Sequence, residues 1–348
     1  MQATQRLPER IETVEHLEDL LSEPTPGVVE SMARLEGDIL VLGVGGKMGP
    51  TLARMARRAS DLAGVRRRIV GVSRFSSDAL ESQLRSQGIE TIRCDLLDAA
   101  RLQSLPEAPN VLFMAGMKFG ATGREALTWA MNCFLPGQVA SRFCHSRIVA
   151  FSTGNVYGLT PVMLGGSVET DPLRPVGEYA QSCVGRERIL EHQSRTLAMP
   201  MAILRLNYAT ELRYGVLVDL AQRVRADETV ELAMAHFNTL WQADANAMAL
   251  QAFDQVASPQ FVVNIAGPEV SSVRRVAEQY AQIFGKSVTF AGHESADALL
   301  SNGQLGHRLF GYPRVGVDQM IHWIADWITQ GGPTHGKPTH FENREGAF

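Results

Sequence analysis

The stretch Asp38-Ile39-Leu40-Val41-Leu42-Gly43-Val44-Gly45-Gly46-Lys47-Met48-Gly49 joins four consecutive apolar residues to a glycine-rich turn. From Thr51 to Leu62 the apolar residues then fall at helical spacing. An apolar run without alternation is what a strand buried on both faces of a parallel sheet requires. Glycines come next, where a phosphate would approach backbone N–H groups at a helix N-terminus, because side chains would block that approach. The spacing is Gly43-x-x-Gly46-x-x-Gly49. A P-loop is excluded, since it needs a glycine where Val41 stands and Ser or Thr where Met48 stands. A tight turn without a ligand would use the same residues; the position between strand and helix argues for the phosphate.

Outward from this turn the strand–turn–helix rhythm repeats. Ile69 to Val72, Glu90 to Arg93, Val111 to Met114 and Arg147 to Phe151 read as strands, and 124–143 as a long helix. Such alternation predicts right-handed crossovers and an α/β, Rossmann-type doubly wound parallel sheet over 38–200. Beyond 200 the rhythm loosens. Met201 to Leu206 and Phe261 to Asn264 still read as strands, with helices over 244–255, 271–284 and 317–329. We expect residues 201–330 to form mainly a smaller substrate lobe, with elements returning to the sheet. Before the sheet, residues 1–37 read as an extension of two short helices, broken at Pro24-Thr25-Pro26-Gly27. The Gly/Pro-rich 331–348 reads as an irregular tail.

The bulk properties narrow the function classes. The chain has 348 residues, 45% hydrophobic and 20% charged, with a net charge of −4. Nothing in this balance points to nucleic acid or an anionic membrane. No apolar stretch reaches the roughly 18 residues of a membrane span, and the N-terminus lacks the apolar core of a signal peptide. The four cysteines, Cys94, Cys133, Cys144 and Cys183, show no CxxC spacing, so reduced thiols in a cytoplasmic protein are expected. No His/Asp/Glu constellation has metal-ligand spacing. Only four lysines occur (Lys47, Lys118, Lys286, Lys337), so arginine carries nearly all the positive charge.

The end of the second strand bears on the choice of dinucleotide. An NAD site usually carries an acid there for the ribose 2′-OH. Here the tip is Val72-Ser73-Arg74. Arg74 is suited to clamp a 2′-phosphate, with Ser73 and Lys47 assisting, which favours NADP over NAD. Alternatively Arg74 stacks over the adenine or lies in solvent.

Taken together, these motifs resemble the extended short-chain dehydrogenase/reductase family, the NAD(P)-dependent epimerase/dehydratase group that acts mainly on sugars. The likeness runs from about Asp38 to Asp326. It rests on Gly43/Gly46/Gly49, on Asp95-Leu96 after the third strand, on Met114-Ala115-Gly116 at the end of the fourth, and on Asn132 in the next helix. The fifth strand ends in Ser152-Thr153-Gly154-Asn155-Val156-Tyr157-Gly158, the family's S-[ST]-x-x-V-Y-G signature. The resemblance implies that Thr153 holds the reacting oxygen and that Tyr179 is the general acid/base. It also implies that Asp95 and Leu96 contact adenine and that Gly43, Gly46, Lys47, Met48, Gly49, Met114, Ala115 and Gly116 line the cofactor. By resemblance alone the chain would pair as a homodimer.

One position departs from the family. Its lysine, one helical turn after the tyrosine, lowers the phenol's pKa from about 10 and holds the nicotinamide ribose. Here that position is Cys183, and a neutral thiol supplies no cation. Three readings are open. Another cation, Arg186 on the same helix face or Lys118 after the fourth strand, replaces the lysine. Or the cofactor is bound without turnover, leaving a sensing or scaffold protein. Or Cys183 is itself a nucleophile.

On the substrate side the candidates are Lys118, Asn155, Asn207, Tyr208 and Arg213. The segment Leu204 to Arg213 lacks the Y-G-P turn that family members acting on nucleotide sugars carry, so a free sugar or sugar acid is as good a candidate as a nucleotide sugar. Asp244 reads as a helix N-cap, and Asn264 as a turn residue without chemistry. His236 and His322 read as surface or core side chains.

Overall fold

The computed structural model describes residues 7–118, 120 and 122–346. Seven parallel strands form the central sheet: β1 (Ile39–Leu42), β2 (Ile69–Ser73), β3 (Glu90–Arg93), β4 (Asn110–Phe113), β5 (Arg147–Thr153), β6 (Met201–Leu206) and β7 (Phe261–Ile265). Their order is β3-β2-β1-β4-β5-β6-β7. The expected strands are therefore present, and the chain has the doubly wound sheet that its alternation predicts. The order in which the chain adds strands reverses at β1, whose neighbours are β2 and β4. The C-terminal ends of β1 and β4 border the crevice where such sheets bind ligands.

All four β1 residues are fully buried, as their unbroken apolar run demands. Helix α3 (Gly49–Leu62) leaves the glycine turn with Pro50 in its first turn, a residue whose missing N–H costs nothing there. The helix expected over 124–143 is divided: α6 (Glu125–Trp129), a π-helical turn (Ala130–Phe134) and α7 (Leu135–Arg142). A π turn shifts the register of the helical residues after it and is common at functional positions; this one carries the buried Asn132. Opposite it runs α8 (Gly177–Leu197), the helix that bears Tyr179.

The N-terminal pair, α1 (Val14–Leu21) and α2 (Pro26–Arg34), starts on side-chain caps from Thr13 and Thr25. Leu17, Leu21, Val28 and Met32 are fully buried in the same core cluster as β1. The guanidinium of Arg67 donates to the carbonyls of Met32 and Leu35 at 2.6 and 2.5 Å. The extension thus caps one face of the sheet.

The C-terminal lobe is built from short two-residue strand pairs and the helices α9 (Val216–Arg225), α10 (Gln242–Gln251), α11 (Val273–Phe284), α12 (Gln304–Phe310) and α13 (Val317–Thr329). The tail forms no regular element through residue 346, as expected, but it is packed. Thr339 donates through its N–H and its hydroxyl to Asp219 at 2.8 and 2.6 Å. Phe341 is 1% exposed and packs on Phe237, ring centroids 6.3 Å apart. Glu342 pairs with Arg223 at 2.5 Å and Arg344 with Asp297 at 2.5 Å. Gly346 lies against Val176 and Gly177 at the start of α8. No described helix is long and apolar enough to cross a membrane. Because Phe341 fills a closed space, Phe341→Ala should lower stability by about 3 kcal/mol, read as a fall in the urea midpoint at constant m-value.

Candidate active site

Gly43 has φ +94°, and a Cβ there would come within 2.8 Å of the Ala115 amide nitrogen. Only glycine lets the first turn lie on the end of β4. The amides of Gly43 and Val44 bond to Val72 O, and that of Gly46 to Gly43 O. The amides of Gly45, Lys47 and Met48 donate to nothing among the described residues. They are three free N–H groups at the mouth of α3, the arrangement an anionic phosphate fits. Beside them Ser73 is half-buried with its Oγ over Gly45. Arg74 is exposed and makes no polar contact among the described residues, so its guanidinium is available to a ligand. Lys47 turns the other way. Its Nζ donates to Ala209 O at 2.9 Å and sits 3.8 Å from the Tyr214 ring centroid, in the C-terminal lobe and not beside Arg74. Asp95 accepts from the Leu97 N–H at 3.1 Å next to the buried Leu96.

The end of β5 delivers Thr153, which caps a short 3-10 turn over Gly154–Tyr157. Thr153 Oγ1 donates to Asn155 Oδ1 at 3.0 Å and accepts from the Asn155 N–H at 3.2 Å. The Tyr179 phenol lies near enough to Thr153 and to the Cys183 thiol for both to act on its ionisation. Burial, followed by the neighbouring Cys183, holds this phenol well above its ordinary pKa, while Arg186 and Thr153 pull it down. Sequence and structure agree on bringing Thr153 and Tyr179 together.

Cys183 is 1% exposed, and burial raises its thiol pKa above the ordinary value. An enclosed thiol whose pKa is raised is a poor nucleophile, so these surroundings speak against that reading of Cys183. Three residues on, Arg186 is 6% exposed. Its guanidinium donates to Phe151 O and Asn132 Oδ1, both at 2.6 Å, and to Asn132 O at 3.3 Å. Asn132 Oδ1 also accepts from the Met117 N–H at 2.9 Å, and its Nδ2 donates to Met117 O and Ser182 Oγ. A Cβ on Gly116 would come within 2.6 Å of the Arg186 guanidinium. The loop after β4, the π turn and α8 are therefore joined through one asparagine and one arginine.

Facing Tyr179 from the loop after β4 is Lys118, its Nζ 5.8 Å from the Tyr179 ring centroid and 5.7 Å from that of Tyr208. Burial lowers Lys118 to about 8 and Lys47 to about 7. The Tyr208 hydroxyl is buried with no hydrogen-bond partner among the described residues, and its residue has φ +41°. Burial, then Glu342 and Asp219, raises its pKa. An orphaned hydroxyl beside a lysine is what a polar ligand would satisfy.

Other expected residues are occupied elsewhere. Asn207 is buried and gives its Nδ2 to Asn238 at 2.6 Å. Arg213 is held by Glu211 at 3.1 Å and by Glu18 of α1 at 3.3 Å, so it ties the N-terminal extension to the lobe. Asp244 is not an N-cap. It lies inside α10, where its carboxylate accepts from the amides of Arg314 and Val315. Asn264 accepts the Tyr157 hydroxyl at 2.7 Å, a packing role. Ser182, Tyr214, Asp219 and Glu342 were not expected at the site; nothing in local spacing links the tail's Glu342 to Tyr208, and only the packing of Phe341 and Thr339 brings it there.

Solved structures share this architecture. UDP-glucuronic acid 4-epimerase from Bacillus cereus, in complex with UDP-glucuronic acid and NAD, superposes with a TM-score of 0.69 at 20% identity, over 84% of this chain and 99% of that one. The dTDP-glucose 4,6-dehydratase from Bacillus anthracis, in complex with NAD, gives 0.69 at 15% identity, over 85% and 97%. UDP-glucose 4-epimerase from Thermotoga maritima, with UDP-glucose, gives 0.68 at 16% identity, over 84% and 99%. At these identities the likeness is one of fold. Among curated proteins none matches by sequence. The sequence profile of the NAD dependent epimerase/dehydratase family matches residues 39–210, the span from β1 through the glycine turn and Thr153 to Tyr179 and beyond. With the free amides at the first turn and the adjacent Thr153 and Tyr179 inside that span, the chain belongs to the NAD dependent epimerase/dehydratase family of enzymes.

Proposed function

We propose that this protein is an NAD(P)-dependent oxidoreductase or epimerase acting on a hydroxyl or ketone of a sugar, sugar acid or nucleotide sugar. The observation that carries the proposal is the placement of Tyr179 beside Thr153, at the end of the strand next to β4 and at the same end of the sheet as the free amides. The residues present fit a dinucleotide. Gly45, Lys47 and Met48 would hold its pyrophosphate through backbone N–H groups, Leu96 and Asp95 would lie by the adenine, and Gly116 by the nicotinamide half. When bound, the nicotinamide supplies hydride transfer.

The protein's own part is to hold the substrate oxygen and move its proton. Thr153 positions the oxygen. Tyr179, neutral in the free protein because burial disfavours its anion, gives its proton to that oxygen as a ketone is reduced and takes it back as an alcohol is oxidised. The unpartnered Tyr208 hydroxyl and Lys118 favour a substrate with several hydroxyls or a carboxylate, which would satisfy both. An epimerase would retain its cofactor between the two half-reactions, and a dehydrogenase would release it. The exposed Arg74, with no acid at the tip of β2, favours NADP.

Tyr179→Phe should lower turnover by about a hundredfold or more, whereas Cys183→Ser, which keeps a hydrogen-bonding group beside the phenol, should lower it by less than about tenfold. Steady-state assays of a sugar and sugar-acid panel at 340 nm measure both. Cofactor uptake without turnover by the parent protein across that panel would support a sensing or scaffold protein instead. Arg74→Ala should weaken NADPH binding by about tenfold or more while changing NADH binding little; equal losses for both would refute the 2′-phosphate clamp. A pyrophosphate arriving near Lys47 raises its pKa from about 7, so binding should take up protons between pH 7 and 8. Calorimetry in two buffers of different ionisation enthalpy reads this uptake, and Lys47→Met should reduce it.

A further inference from the structure

Arg186 is a buried guanidinium whose acceptors are all neutral: two carbonyl oxygens and one amide oxygen. No carboxylate among the described residues pairs with it. Its sequence neighbour Glu187 is already taken by Arg205 at 2.7 Å and Ser152 at 2.6 Å. A buried charge without a counter-charge is costly, and a fold keeps one only where something compensates. Here the charge is also durable. In the same site burial brings the ammonium groups of Lys47 and Lys118 down to about 7 and 8. A guanidinium does not deprotonate in proteins, so it is the one cation type that stays charged in these surroundings.

Its position matches the vacancy left by the family's lysine. Arg186 lies two helical turns after Tyr179 on the same face of α8, and Cys183 lies between them. The guanidinium reaches back to the Asn132 carbonyl and to within touching distance of Gly116, where the nicotinamide half of the cofactor is expected. It lowers the pKa of both the Tyr179 phenol and the Cys183 thiol, against the larger upward push of burial.

We propose that Arg186 supplies the fixed positive charge missing at position 183, and acts as a positioning residue that readies the Tyr179 phenol and biases the site between the two redox forms of the cofactor. The proposal rests on Tyr179 being the acid/base of the site. A fixed cation beneath the nicotinamide should disfavour the oxidised form, whose ring is itself positive, relative to the reduced form. The titratable groups that feel this charge are Tyr179, Cys183 and Cys133; Lys118 acts on the same Cys183 thiol and is the competing cation, and Glu187 is the carboxylate that acts there too.

The test is the ratio of dissociation constants for oxidised and reduced cofactor, measured by titration on the whole chain, alongside turnover. Arg186→Gln should tighten the oxidised form relative to the reduced by about tenfold and slow turnover. Adding Cys183→Lys to that variant restores an ammonium at the family position, and should return the ratio and much of the turnover. A merely structural arginine would shift both affinities together and leave the ratio unchanged. That outcome overturns the proposal, as does a ratio that moves with Lys118→Met and not with Arg186→Gln. If Arg186→Gln does not fold, Cys183→Lys in the parent chain adds a second charge and should move the ratio the opposite way; an unmoved ratio there overturns the proposal. Full turnover by Tyr179→Phe would defeat the acid/base reading separately, and with it the poising of the phenol. Uptake of neither redox form by the parent protein would defeat both.

Discussion

The backbone of the first turn rests directly on the backbone at the end of β4, with no side chain between Gly43 and Ala115. This contact is possible only for a residue without Cβ in a left-handed conformation, and the geometry of the site depends on it. It draws the tips of β1 and β4 together at the place where the sheet's connections change direction. Three unbonded amides on one side and Gly116 on the other then face the same crevice. Register along β4 and β5 sets Thr153 on that edge, and α8 crosses behind it with Tyr179 and Arg186 one above the other.

The charges in this crevice are arranged by what burial does to each chemical type. Lysine ammonium groups yield their protons near neutrality when desolvated, and the tyrosine phenols are held in the neutral form. Arginine keeps its charge, so the lysine-poor composition and the guanidinium at position 186 express one preference. Three carboxylates near the site are already paired, Glu211 with Arg213, Glu187 with Arg205 and Glu342 with Arg223, and Asp219 accepts from Thr339.

The sheet was legible because its inner strands each hold a short apolar run that reads the same wherever it lies, with only the edge strand β3 (Glu90–Arg93) polar, and because a glycine turn after β1 has few alternatives. Thr153, Tyr179 and Asn132 were legible through their motifs, since their roles depend on position along one strand or helix. Lys47, Asn207 and Arg213 were read from the same local pattern, yet their side chains are drawn off by Ala209, Asn238 and Glu18, which lie far away in the chain. The π turn at Asn132 leaves no mark on helical periodicity beyond a small phase slip. Asp244 looked like a cap because its distant partner, the Arg314–Val315 backbone, has no sequence signature.

The tail ties the two ends of the lobe to the helix that carries the phenol: Thr339 to α9, Arg344 to Asp297, and Gly346 to Gly177. Every one of these anchor points is synthesised before the segment that closes over it. On the ribosome, the sheet and the glycine turn can therefore assemble while Phe237 still faces water, and the wall around Tyr208 closes only once residues 339–346 have emerged. The compartment around Tyr208 thus excludes solvent only after residues 339–346 have joined elements made before them.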